Sequence, residues 1–256
     1  MSFFNKLVVL IVLPFLFLSG CGKKEETAQA PLSQNASTVS PKSDPLSKGS
    51  VSGVIRYSGV VSEPSSIKIA GNPECSVFHP GGKVMSEELL VKDGLVQNAF
   101  VYVKKGLEGL SFNPLTAAVE VRNRGCIYAP HVTGVQIGQP VNLINEDATL
   151  HNVHAYAQAN KSFNLGLPFQ GMKQKKVFTE AEVMVTLKCD VHPWMKGFLG
   201  VLPHPYFQVT GENGQFSLKD LPAGEYELEI WHEKLGVRSQ TIKIEPQVDT
   251  KIDITF

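Results

Sequence analysis

The chain has 256 residues, with 24 Lys and Arg set against 24 Asp and Glu, so its formal net charge is zero. That balance gives no sign of a nucleic-acid partner or of a pull toward an anionic surface, and no nucleic acid is expected. The length allows one large or two modest domains, and the four cysteines are few enough to account for one by one.

The first twenty residues carry one basic side chain, Lys6, followed by the apolar run Leu7 to Leu18. That run is too short to span a bilayer comfortably and has the layout of a signal peptide. It closes on Leu18-Ser19-Gly20-Cys21, which resembles the lipobox of bacterial lipoproteins. The resemblance implies an exported lipoprotein with residues 1–20 removed and Cys21 acylated. The folded part would then be held to a membrane by lipid and face the periplasm or cell exterior, on the outer membrane in a Gram-negative host. Residues 21–50 are rich in Ser, Thr, Gln, Asn, Pro and Lys and poor in bulky apolar side chains, the composition of a flexible tether.

From Val51 onward the dominant period is two. Ser86 to Val91 has room for a helical turn or two, but no long stretch keeps a helical period. Val183, Val185, Leu187 and Cys189 share one face of an alternating run. Tyr226, Leu228 and Ile230 alternate with Glu225, Glu227 and Glu229, and Ile252, Ile254 and Phe256 alternate with Asp253 and Thr255. Gly and Pro punctuate the runs, as in Gly211-Glu212-Asn213-Gly214 and Leu221-Pro222-Ala223-Gly224. The predicted class is all-β, built from sandwiches.

The chemical signal is Lys188-Cys189-Asp190-Val191-His192-Pro193-Trp194-Met195. A thiolate, an imidazole and a thioether in one short loop suit copper, because soft sulfur stabilises Cu(I) and imidazole serves both oxidation states. Cys189 ends the inward-facing alternation, so its sulfur is expected at the end of a sandwich, with His192 and Met195 folding back toward it. A second imidazole is available from Asn145-Glu146-Asp147-Ala148-Thr149-Leu150-His151-Asn152-Val153-His154.

The span from Tyr128 to Val201 resembles the amicyanin and pseudoazurin type of small blue copper protein, a cupredoxin Greek-key sandwich related to plastocyanin. The resemblance rests on the C-x-x-H-P-aromatic-M loop from Cys189 to Met195 and on the His151-Asn152 pair after an Asn-acidic turn. It rests also on Val135-Gln136-Ile137-Gly138-Gln139-Pro140-Val141, which is similar to those proteins' V-x-V-G-x-x-V strand. It implies one type 1 copper ion, with His151, Cys189 and His192 as the trigonal set and Met195 as the weak axial ligand. Asn152 would tie the His151 strand to the cysteine strand. His154, three positions on, faces the other side of a strand and is not expected to be a ligand. His192, beside Pro193 and Trp194, is expected to bring its imidazole edge to the surface, with Pro193 and Trp194 forming the electron-transfer surface.

The flanks resemble a different family. Val51-Ser52-Gly53-Val54-Ile55-Arg56-Tyr57-Ser58-Gly59 and Val96-Gln97-Asn98-Ala99-Phe100-Val101-Tyr102-Val103 are similar to the opening strands of a carboxypeptidase regulatory-like module, an Ig-like or transthyretin-like β-sandwich. The closing strands of that module resume about a hundred residues later, at Val209-Thr210-Gly211-Glu212-Asn213-Gly214-Gln215-Phe216-Ser217-Leu218 and Leu221-Pro222-Ala223-Gly224-Glu225-Tyr226. The resemblance implies a split sandwich over residues 51–114 and 205–256, with a cupredoxin domain over residues 115–204 inserted in one loop. Insertion is tolerated where the ends of a loop lie close together. The alternative is two consecutive domains packed side by side.

A copper held by two His, one Cys and a distant Met leaves no position open for substrate. The expectation is therefore no enzyme, but a carrier of single electrons between redox partners such as a c-type cytochrome or an oxidoreductase. A binuclear copper centre needs a second loop cysteine, and a trinuclear one needs repeated His-x-His pairs; the chain has neither. Copper handling is the competing reading, and a surface scaffold with a structural copper is another. If Cys21 is acylated and Cys189 binds metal, one cysteine pair remains, and export makes Cys75–Cys126 the expected disulfide. His79, His131, His204 and His232 are scattered and read as structural or surface residues. Trp231-His232-Glu233 has the look of an acid–base cluster but no nucleophile near it.

Overall fold

The structure is a computed structural model and describes residues 47–69 and 71–256. The expected signal peptide, the expected lipidation site Cys21 and the expected tether up to residue 46 lie outside the described residues. The first segment holds β1 (Lys48–Arg56), β2 (Ser66–Lys68), α1 (Pro73–Ser76), β3 (Lys83–Met85), β4 (Val91–Lys92), β5 (Leu95–Val96) and β6 (Phe100–Lys105). The middle segment holds β7 (Val119–Asn123), β8 (Tyr128–Ala129), β9 (Val132–Gln136), β10 (Pro140–Asn145), β11 (His151–Tyr156), β12 (Phe163–Leu167), β13 (Lys173–Val177), β14 (Glu182–Lys188) and β15 (Lys196–Leu202). The last holds β16 (Phe207–Val209), β17 (Gln215–Pro222), β18 (Gly224–His232), β19 (Gly236–Ile244) and β20 (Asp249–Thr255). The protein is all-β; α1 is the only α-helix among the described residues.

Strand pairing separates the middle segment from the other two. One sheet runs β17-β1-β5-β4, with β20 parallel to β1, and a second runs β16-β6-β18-β19. Both join strands from the two ends of the chain: Val51 pairs with Leu218, and Val101 pairs with Ile230. The strands from 119 to 202 form the sheets β13-β10-β7-β8 and β12-β11-β14-β15-β9 among themselves. Val51, Ile55, Val101, Val103, Leu218, Leu228 and Ile230 share one core. Val121, Leu143, Val153, Val185, Leu187, Leu199 and Val201 share another.

The strands β6 and β15 divide their side chains between two layers of packing. In β6, Val101 and Val103 enter the first core, while Phe100 and Tyr102 point the other way onto Val132, Phe198 and Leu202. In β15, Leu199 and Val201 enter the second core, and Phe198 and Leu202 face β6. A strand covered on both faces reads as a continuous apolar run, which is why Phe100-Val101-Tyr102-Val103 shows little alternation. Gly134 and Gly200 allow this approach: a Cβ on either would lie under 3 Å from the Phe100 ring.

Several expectations need correction. Lys48 to Ser50, assigned to the tether, are strand, because Lys48 and Gly49 pair with Pro222 and Leu221. Ser86 to Leu90 form no helix; Ser86 N–H instead donates to Ser65 O at 2.8 Å. Val183 is exposed rather than inward, since the β14–β15 register shifts between Glu182 and Val185. The hairpin β2–β3 and α1 form an excursion whose Ile69, Cys75 and Val84 bury into the core of the middle segment.

Candidate metal centre

The centre forms where β11 begins and β14 ends. These strands are antiparallel neighbours, with His154 opposite Lys188, so Asn152 falls beside the first residues of the loop after β14. Asp190 N–H donates to Asn152 Oδ1 at 2.7 Å, and Asn152 Nδ2 donates to Asp190 Oδ2 at 3.1 Å and to Asn164 Oδ1 at 2.7 Å. The loop then closes on itself. Met195 N–H donates to His192 O at 2.9 Å, and Cys189 N–H donates to Met195 O at 3.2 Å. Those two bonds return His192 and Met195 to the cysteine.

His151, Cys189 and His192 are all buried, with one donor atom of each within 4.8 Å of the others. His151 Nδ1 and His192 Nδ1 are 3.0 Å apart, and Cys189 Sγ is 3.8 Å from His192 Nδ1. Met195 is buried in the same core cluster as Cys189. His151 Nε2 is bonded to the buried carboxylate of Asp147 at 2.9 Å, which fixes the ring and leaves Nδ1 facing the cluster. Asp147 is itself held by the N–H groups of Gly125 at 2.7 Å and Cys126 at 2.8 Å.

Electrostatics follow from this packing. Burial pushes the Cys189 thiol up, but His151 and the N–H groups of Asn152, His192 and Val191 reverse that and hold it below its usual range. Burial works against a charged His151, yet Asp147 and Cys189 raise its pKa. His192 is lowered by burial and by the charge of His151. The donors fit a single soft or borderline ion. Ligands at about 2.0–2.3 Å from one metal lie roughly 3–4 Å from each other, and the two separations from His192 Nδ1, 3.0 and 3.8 Å, fall in that range.

One expectation about this site is overturned. His192 does not reach the surface; it is 2% exposed. The reason is the excursion between β1 and β4. Cys75, in α1, is disulfide-bonded to Cys126, and both sulfurs lie within 4.8 Å of a His192 ring nitrogen. His79, just beyond α1, adds a bond from its Nε2 to Gly125 O at 2.6 Å. Beside His192, Pro193 is exposed and Trp194 half-buried, its Nε1–H donating to Cys126 O at 2.9 Å.

The remaining histidines stand apart from the cluster. His154 turns away from it, 3.1 Å from both Asp190 carboxylate oxygens and stacked on Tyr156. His204 Nε2 is bonded to Val103 O at 2.9 Å. His232 accepts the Lys234 N–H at 3.1 Å, while Glu233 turns to His131 and Lys196, so Trp231-His232-Glu233 is not an acid–base cluster. Asp147 was not singled out from the sequence. Its signal was there, in an Asn-acidic turn four residues before a buried histidine.

No family model and no curated protein matches the chain. Solved structures similar to part of it are copper proteins. A Cu-containing nitrite reductase from Thermus scotoductus is 24% identical over 40% of this chain, at a TM-score of 0.32, and only 25% of that enzyme is covered. A purple cupredoxin from Nitrosopumilus maritimus is 24% identical over 32% of this chain and 98% of its own, at 0.28. A Cu(I) amicyanin variant is 26% identical over 40% of this chain and 97% of its own, at 0.30. Likenesses with such TM-scores do not assign the chemistry, which rests on the donor set.

Proposed function

We propose that this protein is a membrane-anchored electron carrier holding one type 1 copper ion between His151, Cys189, His192 and Met195. The observation that carries this reading is the buried convergence of one thiol and two Nδ1 atoms, at 3.0 and 3.8 Å, on a single point. When bound, copper would supply reversible one-electron chemistry, its potential tuned by the thioether of Met195. The chain's own contribution is to hold the donors in place. Asp147 fixes His151, Asn152 braces the loop, and the apolar core excludes water from the thiol.

The rest of the proposal extends outward from that site. The flanking strands would form a carboxypeptidase regulatory-like sandwich over residues 51–114 and 205–256, with the cupredoxin domain of residues 115–204 inserted in it. Acylated Cys21 would anchor the mature chain on the outer face of a bacterial membrane, and an exported redox protein would exchange electrons across Pro193 and Trp194. No substrate position is open at such a centre, so we assign no enzymatic activity.

One observation favours a second reading. A covered His192 slows ligand exchange and lengthens the path to a partner, as suits a lipoprotein that sequesters copper. One sample separates the two. The mature chain carrying Cys21→Ser, loaded with Cu(II), should show an intense thiolate-to-copper band in the visible and cycle reversibly at an electrode. A colourless protein, or one that loses its copper on each reduction, would rule out the carrier.

A further inference from the structure

His131, outside the cluster just described, is 6% exposed. Its Nε2 is bonded to Glu233 Oε2 at 2.7 Å, and Glu233 is paired with Lys196. The Glu233 carboxylate accepts the Nε2 proton, which leaves Nδ1 as the ring's second binding atom. Nδ1 is buried and has no hydrogen-bond partner. Glu87 Oε2 stands 3.8 Å from it, too far for a hydrogen bond. Both residues line a cavity of about 360 Å³, which Lys196, Trp194 and Met195 also line.

The local charges leave Glu87 apart. Glu88 is paired with Lys196 at 3.3 Å and with Lys234 at 3.6 Å. Among the described residues, Glu87 has His131 alone as an ion-pair partner. Burial raises the Glu87 pKa, His131 lowers it, and Glu233 raises it again. A ring nitrogen and a carboxylate oxygen 3.8 Å apart, with no hydrogen bond between them, are held by a proton on the ring or by a cation shared between the two. An imidazole whose far nitrogen donates to a carboxylate is also the usual arrangement of a metal-binding histidine. Two ligands at about 2.0–2.2 Å from one ion span up to roughly 4 Å.

We propose that His131 Nδ1 and the Glu87 carboxylate form a second divalent-cation site, separate from the Cys189 centre and completed by water in the cavity. One imidazole with oxygen donors suits a borderline ion, Zn(II) or Cu(II), rather than Cu(I). Glu233 is a positioning residue, holding His131 in the tautomer that presents Nδ1.

The test uses the mature chain with Cys21→Ser, dialysed to equilibrium against Zn(II) and analysed for bound metal. Glu87→Gln should bind one equivalent of zinc fewer than its parent, and His131→Gln should do the same. Cys189→Ser should keep that equivalent, so a failure of the copper reading would show in that variant alone. Glu87 is part-exposed, so its variant decides the matter even if His131→Gln does not fold. In zinc-soaked crystals, anomalous scattering should lie between His131 Nδ1 and Glu87. Unchanged zinc binding in Glu87→Gln, or zinc located elsewhere, would overturn the site.

Discussion

Two imidazole Nδ1 atoms 3.0 Å apart cannot both offer lone pairs to each other, so a proton or a cation has to lie between His151 and His192. The Cys189 thiol beside them is held below its usual range, and in the proposed centre it would bind copper as the thiolate. Cys189→Ser should therefore erase the visible charge-transfer band of the Cu(II)-loaded protein, as absorption spectroscopy would register. Met195→Leu should keep the band and raise the reduction potential in voltammetry, because a weak donor that stabilises Cu(II) is gone. Asp147→Ala frees His151 Nε2 and two backbone N–H groups. Loss of such an orienting partner lowers metal affinity by roughly 10–100-fold, which a competition titration would measure. Unchanged affinity in that variant would mean that His151 is not positioned through Asp147.

Among the elements, the excursion from β2 to β3 sets this centre apart. It carries α1 over His192 and is fastened by a disulfide whose cysteines are 51 residues apart in sequence. Closing a loop of that length restricts the unfolded chain by about 4 kcal/mol in the chain-entropy model. Replacing Cys75 and Cys126 together by Ser should cost stability of that order in urea titrations. The same change should make His192 reactive toward an imidazole-modifying reagent and speed the loss of copper to a chelator. A variant whose His192 stays as protected as before would show that packing of Ile69 and Val84, rather than the disulfide, holds the cover down. Between the layers, β6 lies close to β15 because Gly200 has no side chain under Phe100. Gly200→Ala should cost roughly 1–3 kcal/mol through overpacking. Gly166→Ala in β12, where a new Cβ meets nothing, is the matched control.

At the scale of the whole molecule, acid should loosen the assembly before its carboxylates protonate. His232 is almost fully buried where β18 ends, and burial lowers its pKa from 6.5 to about 4. Above pH 6.5 the ring is neutral in both folded and unfolded chains. Below that, the unfolded chain takes up a proton that the folded one refuses, so stability falls from pH 6.5 down to about 4. The loss is at most about 3 kcal/mol, and burial lowers His204 in the same direction. His232→Asn, which can still accept the Lys234 N–H, should flatten the decline in urea midpoint between pH 7 and 4.5. An equally steep decline in that variant would assign the acid sensitivity to other groups.

The all-β class was legible because strand burial has period two: Tyr226, Leu228 and Ile230 alternate with glutamates, and the structure buries those three in one core. The loop's candidate donors were legible as well, since Cys189, His192 and Met195 fall in one loop where local turn geometry alone can gather them. His151 could be named only through a resemblance, because its approach depends on β11 pairing with β14. What lay beyond the sequence was every contact made by surfaces with no period of their own. Phe100-Val101-Tyr102-Val103 gives no sign that it divides its side chains between two cores. The segment around Cys75 gives no sign that it caps His192, because a short helix in a polar excursion acquires its position from the disulfide and from burial of Ile69 and Val84. His131 and Glu87 are 44 positions apart, and only the fold brings a buried ring nitrogen to face a carboxylate. Local periodicity is a property of the chain, whereas which distant side chains share a water-poor space is decided by packing of the whole.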